Sequence, residues 1–431
     1  MQRRKALRVG AVFLSASMLG LYVLKPKKRG QNYSPYFNDL NLALKNYKRS
    51  IPSLVVDLDI VDENIEALKT IMPKDADYRI VVKSLPSKEL VEYVMKKYPT
   101  NKLMVFHQPF LTDISYHGNE HLDILIGKPF PANTFEYYLN SLNPENELFN
   151  ADNQVQWLID TEHRLLEYLE ISKKLERKIK ISIEIDVGLR RGGVNNTNDL
   201  DKIFKIIDSQ PEHLVFAGFM GYDAHIVKVP SILKSREKAY EESQDFYKKC
   251  IDFAKDNYPQ LWHENLTLNG AGSPTVLLHQ QYGTVINDLA AGSCLVKPTD
   301  FDIDTLESMQ AASFITTPIL KKQEGSKLPS IEKFDGLITK WNPNWKYSYF
   351  LYGGAWMANY HEPKGVEGNP IFGKSTNQIM INTSDKIDLE VGDFVFLRPH
   401  QSEFVFLQFG EILAFRYKNI FQAWNLLHQS I

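Results

Sequence analysis

Two cations stand four residues apart in Arg79-Ile80-Val81-Val82-Lys83. On an extended strand such residues share a face, and two like charges turned together are costly in a packed core. A guanidinium beside an amine lowers the pKa of the amine, which suits a nucleophilic lysine. On an edge strand the same two side chains simply reach solvent. Ile181 to Asp186 alternates isoleucine with Ser182, Glu184 and Asp186. The polar set therefore lies on one face, either the inner face of a helix-wrapped barrel or the wet face of an antiparallel sheet. Leu189-Arg190-Arg191-Gly192-Gly193 follows, with cations on a flexible turn.

Two further segments close apolar runs. Asn269-Gly270-Ala271-Gly272-Ser273-Pro274-Thr275 is a glycine-rich turn with hydroxyls. Its backbone N–H groups and the Ser273 hydroxyl suit a phosphate. Phe219-Met220-Gly221-Tyr222-Asp223-Ala224-His225 offers Tyr222 and His225. An imidazole there can stack on a ring, move protons, or serve only the packing.

The elements that must carry these residues follow from periodicity. The pattern predicts strands at Leu54–Leu58, Tyr78–Lys83, Leu103–Phe106, Leu122–Ile126, Val155–Ile159, Lys180–Val187, Leu214–Phe219 and Leu266–Leu268. Helical spacing between them predicts helices at Val61–Ile71, Lys88–Lys97, His163–Leu175, Leu200–Ile207 and Ser235–Lys255. About eight βα units over about 250 residues match an α/β fold of the (β/α)8 TIM type, with a doubly wound open sheet as the competitor. After Asp300 the pattern predicts strands without helices, at Ala312–Leu320, Phe334–Ile338, Ile379–Asn382, Asp393–Leu397 and Glu411–Arg416. The expected division is a leader at 1–30, a barrel at 31–299 and a C-terminal all-β domain at 300–431. The segment before Ser53 is a possible contributor to the β domain.

Composition sets outer limits. The 431 residues are 43% hydrophobic and 24% charged, ordinary for a globular chain. The net charge is −2, yet the first 30 residues carry eight basic and no acidic side chains, which leaves the remainder at −10. So acidic a body argues against nucleic-acid binding. Two cysteines, Cys250 and Cys294, are too few for a disulfide scaffold. Val9 to Leu24 is an uncharged run of 16 residues flanked by Lys and Arg on both sides. It is short for a spanning helix and fits a membrane anchor or a signal peptide. An anchored body facing the cytoplasm is the expectation, with export as the alternative.

Taken in order, these segments resemble the alanine racemase-like, fold-type III pyridoxal-phosphate enzymes, and most nearly the D-threonine aldolase and D-serine dehydratase branch. Ile51 to Asp59 is similar to the opening strand of that group. Arg79 stands four residues before Lys83, as in that branch. Glu184, Asp186, Gly188, Arg191 and Gly193 match its Glu-x-Asp-x-Gly-x-x-Arg-x-Gly strand end. Gly218, Gly221, Tyr222 and His225 match its Gly-x-x-Gly-Tyr-x-x-His segment, and Gly270 to Thr275 match its phosphate turn.

The resemblance implies that Lys83 holds pyridoxal 5'-phosphate and that Arg79 tunes it. It places His225 against the cofactor ring and Arg191 and Tyr222 in the pocket. Gly270, Gly272 and Ser273 fall in the phosphate turn. It implies a lyase acting on small D-amino acids, as aldolase or dehydratase, with homodimers expected. A racemase using Tyr222, Tyr349 or Tyr352 as second base is the alternative, and a cofactor-binding regulatory homologue without turnover is a third. Two departures stand out. Ser84-Leu85 follows the lysine where the family usually has Thr-His. The metal pair after a proline falls on Gln401 and Glu403, or one residue earlier on His400 and Ser402. Gln with Glu is a poor transition-metal pair, so a divalent metal is in doubt. The Gln401–Glu403 turn and the Tyr347–Tyr360 segment are the candidates for a group acting on a substrate hydroxyl.

Overall fold

The computed structural model describes residues 25–143, 145–327 and 335–429. The apolar run at 9–24 lies outside them. No helix among the described residues is long and apolar enough to cross a membrane.

Strand β1 (Ser53–Asp57) leads into a closed parallel barrel. Its staves are β2 (Asp77–Val81), β3 (Lys102–Val105), β4 (Asp123–Ile126), β5 (Val155–Ile159), β6 (Ile179–Glu184), β7 (Leu214–Gly221), β8 (Thr267–Gly270) and β9 (Asp288–Ala291). Closure comes from β2 pairing with β9, Arg79 opposite Ala290. An eight-stranded TIM-type barrel is present, as expected, but its strands are not all the expected ones: β1, read as the first stave, lies outside the closed ring, and β9, which the periodicity did not predict, completes it. Helices start where side chains satisfy their free N–H groups. Asp57 accepts from Asp59 and Ile60, Thr161 from Arg164, and Asn196 from Asp199. The outer face of β5 buries Trp157, whose ring lies 4.6 Å from Phe135. Burying aromatics of that size fixes helix against strand.

The chain divides into two discontinuous units. Among the described residues, the barrel unit takes those within 56–313, 400–416 and 421–429; the other takes those within 25–55, 314–399 and 417–420. A contiguous cut at 300 therefore does not coincide with this division. The helix Pro35–Tyr47 falls in the second unit. That unit is built on antiparallel strands. β10 (Ser313–Glu324) pairs with β11 (Tyr347–Tyr352), which pairs with β14 (Gln378–Thr383). β12 (Ala358–Glu362) and the short β13 (Glu367–Gly368) complete its edges, against β15 (Phe394–Pro399) and β14 respectively.

Two further expected strands are corrected. Of the strand expected at Phe334–Ile338, Phe334 lies outside the described residues and the rest belongs to a helix, Asp335–Trp341, whose backbone bonds are local, as in Asn342 N–H to the Ile338 carbonyl at 2.8 Å. The strand carrying Arg79 stops at Val81. Val82–Ser84 is a single 3-10 turn closed by Leu85 N–H on the Val82 carbonyl. Arg79 and Lys83 therefore do not share a strand face.

Candidate active site

The C-terminal mouth of the barrel holds a cavity of about 460 Å³. Lys83, Arg191, Tyr222, Gly272, Ser273 and Glu403 line it. The volume falls within the range of small-ligand sites, roughly 300–1,000 Å³. Lys83 reaches it because the chain turns at Val82–Ser84 just beyond the strand end. Its Nζ lies 2.8 Å from Glu403 Oε1 and 4.5 Å from the centre of the Phe106 ring. Both members of the ion pair keep part of their surface open, 35% and 37%, so a ligand has access to the amine.

Elsewhere in the lining, the Arg191 guanidinium lies 5.0 Å from the centre of the Tyr222 ring, at cation–π distance. The ring in turn covers Gly272. A Cβ there would stand 2.6 Å from Tyr222 Cε2, so only glycine permits this approach. The turn is strained next to it, with Ala271 at φ 63°. Ser273 Oγ accepts from Gly292 N–H at 3.2 Å and Cys294 N–H at 3.1 Å. With both lone pairs engaged, its proton is left to donate. Ser293 Oγ donates to Ser84 Oγ at 2.9 Å, beside the lysine turn.

The alternation read from β6 resolves residue by residue. Ser182 is buried inside the barrel and donates to Gln156 Oε1 at 3.0 Å. Glu184 ends the strand and lines the cavity. Burial, with Asp160 adding to it against Arg191, pushes its carboxyl up to about 6. Asp186 folds back on its own turn and accepts from Gly188 and Arg190 N–H. The arrangement gathers one amine, a carboxylate paired with it, a second carboxyl of raised pKa, and a donor-rich turn. That set suits proton transfer next to an anchored anionic ligand.

Residues 56–298 match the family model for the N-terminal domain of alanine racemase. The chain belongs to the alanine racemase N-terminal domain family. Solved structures agree on the fold. A D-threonine aldolase from Filomicrobium marinum superposes with a TM-score of 0.65 at 15% identity, covering 88% of this chain and 98% of that one. An alanine racemase from Bacillus anthracis gives 0.65 at 14% identity, with the same 88% and 98%. A D-threo-3-hydroxyaspartate dehydratase from Delftia sp. HT23 gives 0.64 at 15%, covering 88% and 97%. Among curated proteins none matches the sequence.

Within this alanine racemase-like barrel, some expected site residues lie elsewhere than the mouth. Arg79 does not line the cavity. It is fully buried among the first residues of the strands, with Nε 2.8 Å from Asp288 Oδ1 and Nη1 3.1 Å from Asp123 Oδ1. Burial alone would lower its pKa, but the two carboxylates outweigh that and raise it. Its donors are thus spent at the barrel floor. His225 also stays off the cavity lining. Its ring packs on Gly188, where a Cβ would meet Nε2 at 2.8 Å, and its Nδ1 is buried without a hydrogen-bond partner among the described residues. Burial lowers its pKa, which favours the neutral ring. Tyr222, from the same segment, takes the place in the cavity. Gly270 ends β8 and is not itself in the lining, unlike its neighbours Asn269 and Ala271, while Gly272 and Ser273 are in it.

The expected metal pair is not assembled. Glu403 turns to Lys83, and Gln401 Nε2 donates to Asp300 Oδ2 at 3.1 Å. Among the described residues no cluster of three or more His, Cys, Asp or Glu side chains is placed to hold a metal. Phe106, Lys128 and Asp160 line the cavity without a signal in residue spacing. Each lies one or two residues past a strand end, at Val105, Ile126 and Ile159, the position that faces the mouth of such a barrel.

Proposed function

We propose that the protein is a pyridoxal-phosphate-dependent lyase acting on a small β-hydroxy D-amino acid, by aldol cleavage or β-elimination. One observation carries the reading. The Lys83 amine and the Gly272–Ser273 turn line the same cavity at the mouth of a closed barrel. The residues fit the cofactor. An amine is open to the cavity, an aromatic ring covers a glycine that tolerates no Cβ, and the Ser273 hydroxyl is constrained to donate. The D-amino acid and lyase character draws support from the neighbouring D-threonine aldolase and D-threo-3-hydroxyaspartate dehydratase.

The bound cofactor supplies an electron sink for a carbanion at the substrate Cα. Lys83 would hold it, and its amine when free would carry a proton at Nζ. Glu403, beside Lys83 in the cavity, would act on the β-hydroxyl: in aldol cleavage its carboxylate would accept the hydroxyl proton, and in β-elimination its carboxyl would donate a proton to the departing hydroxyl. Ser273 would donate to the phosphate, Arg191 and Tyr222 would line the pocket, and Glu184, raised to about 6, would exchange a proton just below neutrality. Racemisation is the second reading. It is favoured by Glu184, a proton carrier in the same cavity that needs no substrate hydroxyl.

The test is borohydride trapping followed by turnover on D-threonine, D-serine and D-alanine. Trapping is expected at Lys83 and is lost in Lys83→Ala; an equal yield of adduct in that variant overturns the lysine assignment. Acetaldehyde with glycine identifies an aldolase, and pyruvate with ammonia a dehydratase. Loss of optical rotation from D-alanine alone identifies a racemase, and no product from any of the three leaves a binding protein. In the lyase case Glu403→Gln lowers kcat by about 100-fold or more while trapping persists.

A further inference from the structure

A buried relay stands behind the glycine turn, and neither Asp223 nor His279 lines the cavity. Asp223 and His279 are each 1% exposed, and His279 Nε2 lies 2.8 Å from Asp223 Oδ2. The other carboxylate oxygen accepts from Thr275 Oγ1 at 2.6 Å, and Thr275 Oγ1 accepts from Gly272 N–H at 3.1 Å. The chain of bonds thus runs from His279 through Asp223 and Thr275 into the backbone of the turn.

Hydrogen-bond accounting fixes the protons of the pair. His279 Nδ1 faces Tyr240 Oη at 3.0 Å and Thr284 Oγ1 at 2.9 Å. Tyr240 gives its one proton to the Gly283 carbonyl, which can only accept. Thr284 has a second acceptor in Gln244 Oε1, an atom that also accepts Val285 N–H and so must be oxygen. An unprotonated Nδ1 would set lone pair against lone pair at the tyrosine. Nδ1 therefore carries a proton. A second proton lies between Nε2 and Asp223 Oδ2, on whichever atom. With two protons the pair has no net charge.

We infer that His279 is a positioning residue that neutralises Asp223 beneath the anion turn, so that the carboxylate can orient Thr275 and Gly272 without repelling a bound phosphate. The inference rests on reading Gly270–Thr275 as the phosphate holder. A buried carboxylate with its partner removed is an uncompensated charge, and in a low-dielectric interior it acts on a nearby anion with little screening. Among the described residues, Tyr222, Tyr240 and His225 each feel the Asp223 charge. None of them is a cation that would replace His279.

The charge argument gives an order of variants that simple loss of packing does not. His279→Gln keeps a hydrogen-bonding side chain but leaves Asp223 charged. It is expected to weaken pyridoxal phosphate binding at least tenfold, read by cofactor fluorescence at pH 7, while binding of phosphate-free pyridoxal changes less than threefold. Asp223→Asn/His279→Gln has no charge to expose and is expected to recover most of that loss. The charge state is read without cofactor, from the ¹⁵N signals of histidine-labelled wild-type protein, with the His279 signals assigned by their absence in the double variant. Nδ1 should appear protonated at pH 7. An unprotonated Nδ1, a His279→Gln protein that binds pyridoxal phosphate as tightly as wild type, or a double variant no better than His279→Gln each overturns the inference. If wild-type protein takes up no pyridoxal phosphate, the proposed function fails and the phosphate role of the pair fails with it; the nitrogen signals still decide the charge assignment.

Discussion

Arg79→Met separates a structural from a catalytic role for the arginine before the lysine. The guanidinium is wholly buried and holds Asp288 through two bonds, of 2.8 and 2.9 Å, and Asp123 at 3.1 Å. Burial by itself would push the Asp288 carboxyl up; Arg79 and Lys102 outweigh it and hold it below the usual carboxylate range. Removing the guanidinium leaves Asp288, with no exposed surface, to Lys102 and Asn269. Breaking such a buried pair costs about 3–5 kcal/mol. A unit of roughly 290 residues unfolds with about 0.6 kcal/mol per kelvin of entropy, so its Tm should fall by about 5–8 °C. Calorimetry measures the shift, and borohydride trapping at Lys83 should persist below the transition. Arg79→Met/Asp288→Leu removes the stranded charge and should regain part of the loss. A Tm within 1 °C of wild type would refute the ion-network argument. Unchanged stability with lost trapping would instead give Arg79 the lysine-tuning role that the resemblance implies.

Other outcomes follow from the same geometry. Gly272→Ala drives a Cβ into Tyr222 at 2.6 Å, so the ring must leave its place, and pyridoxal phosphate affinity should drop at least tenfold by fluorescence titration with the fold retained in circular dichroism. Glu184 is raised by burial to about 6, so the folded state favours its protonated form. Its contribution is fully present below the ordinary carboxyl value near 4.5 and is lost as pH rises through 6. Glu184→Gln should therefore stabilise the protein by about 2 kcal/mol at pH 7.5 and leave it unchanged near pH 4 in urea unfolding. With Glu403 on Lys83 and Gln401 on Asp300, chelator should leave turnover within twofold. A large loss restored by Mn²⁺ would place a cation at residues 400–403 after all.

The sequence by itself determined the barrel class and most of the segments that end at its mouth. Strand and helix periods are local, so the βα alternation could be read without knowing how it closes, although the count of eight took in β1, which lies outside the ring, and missed β9. Residues at the ends of strands were legible for the same reason. Lys83, Arg191, Tyr222 and the Gly272–Ser273 turn each sit where an apolar run stops, and in a barrel that is the mouth. Even the polar face of β6 was visible as alternation.

Tertiary structure decided which of two like-looking groups reaches the cavity. Arg79 and Lys83 share a face on paper, yet the strand ends at Val81 and the turn sends the amine to the mouth while the guanidinium stays at the floor. The acids that claim Arg79 lie 44 and 209 residues away in sequence, beyond any local pattern. Glu403 meets Lys83 because residues 400–416 return to the barrel unit, and the pairing of His279 with Asp223 spans 56 residues. Ion pairs and proton relays depend on distance in space. Chain order constrains that distance only within an element, and between elements it is set by closure of the barrel.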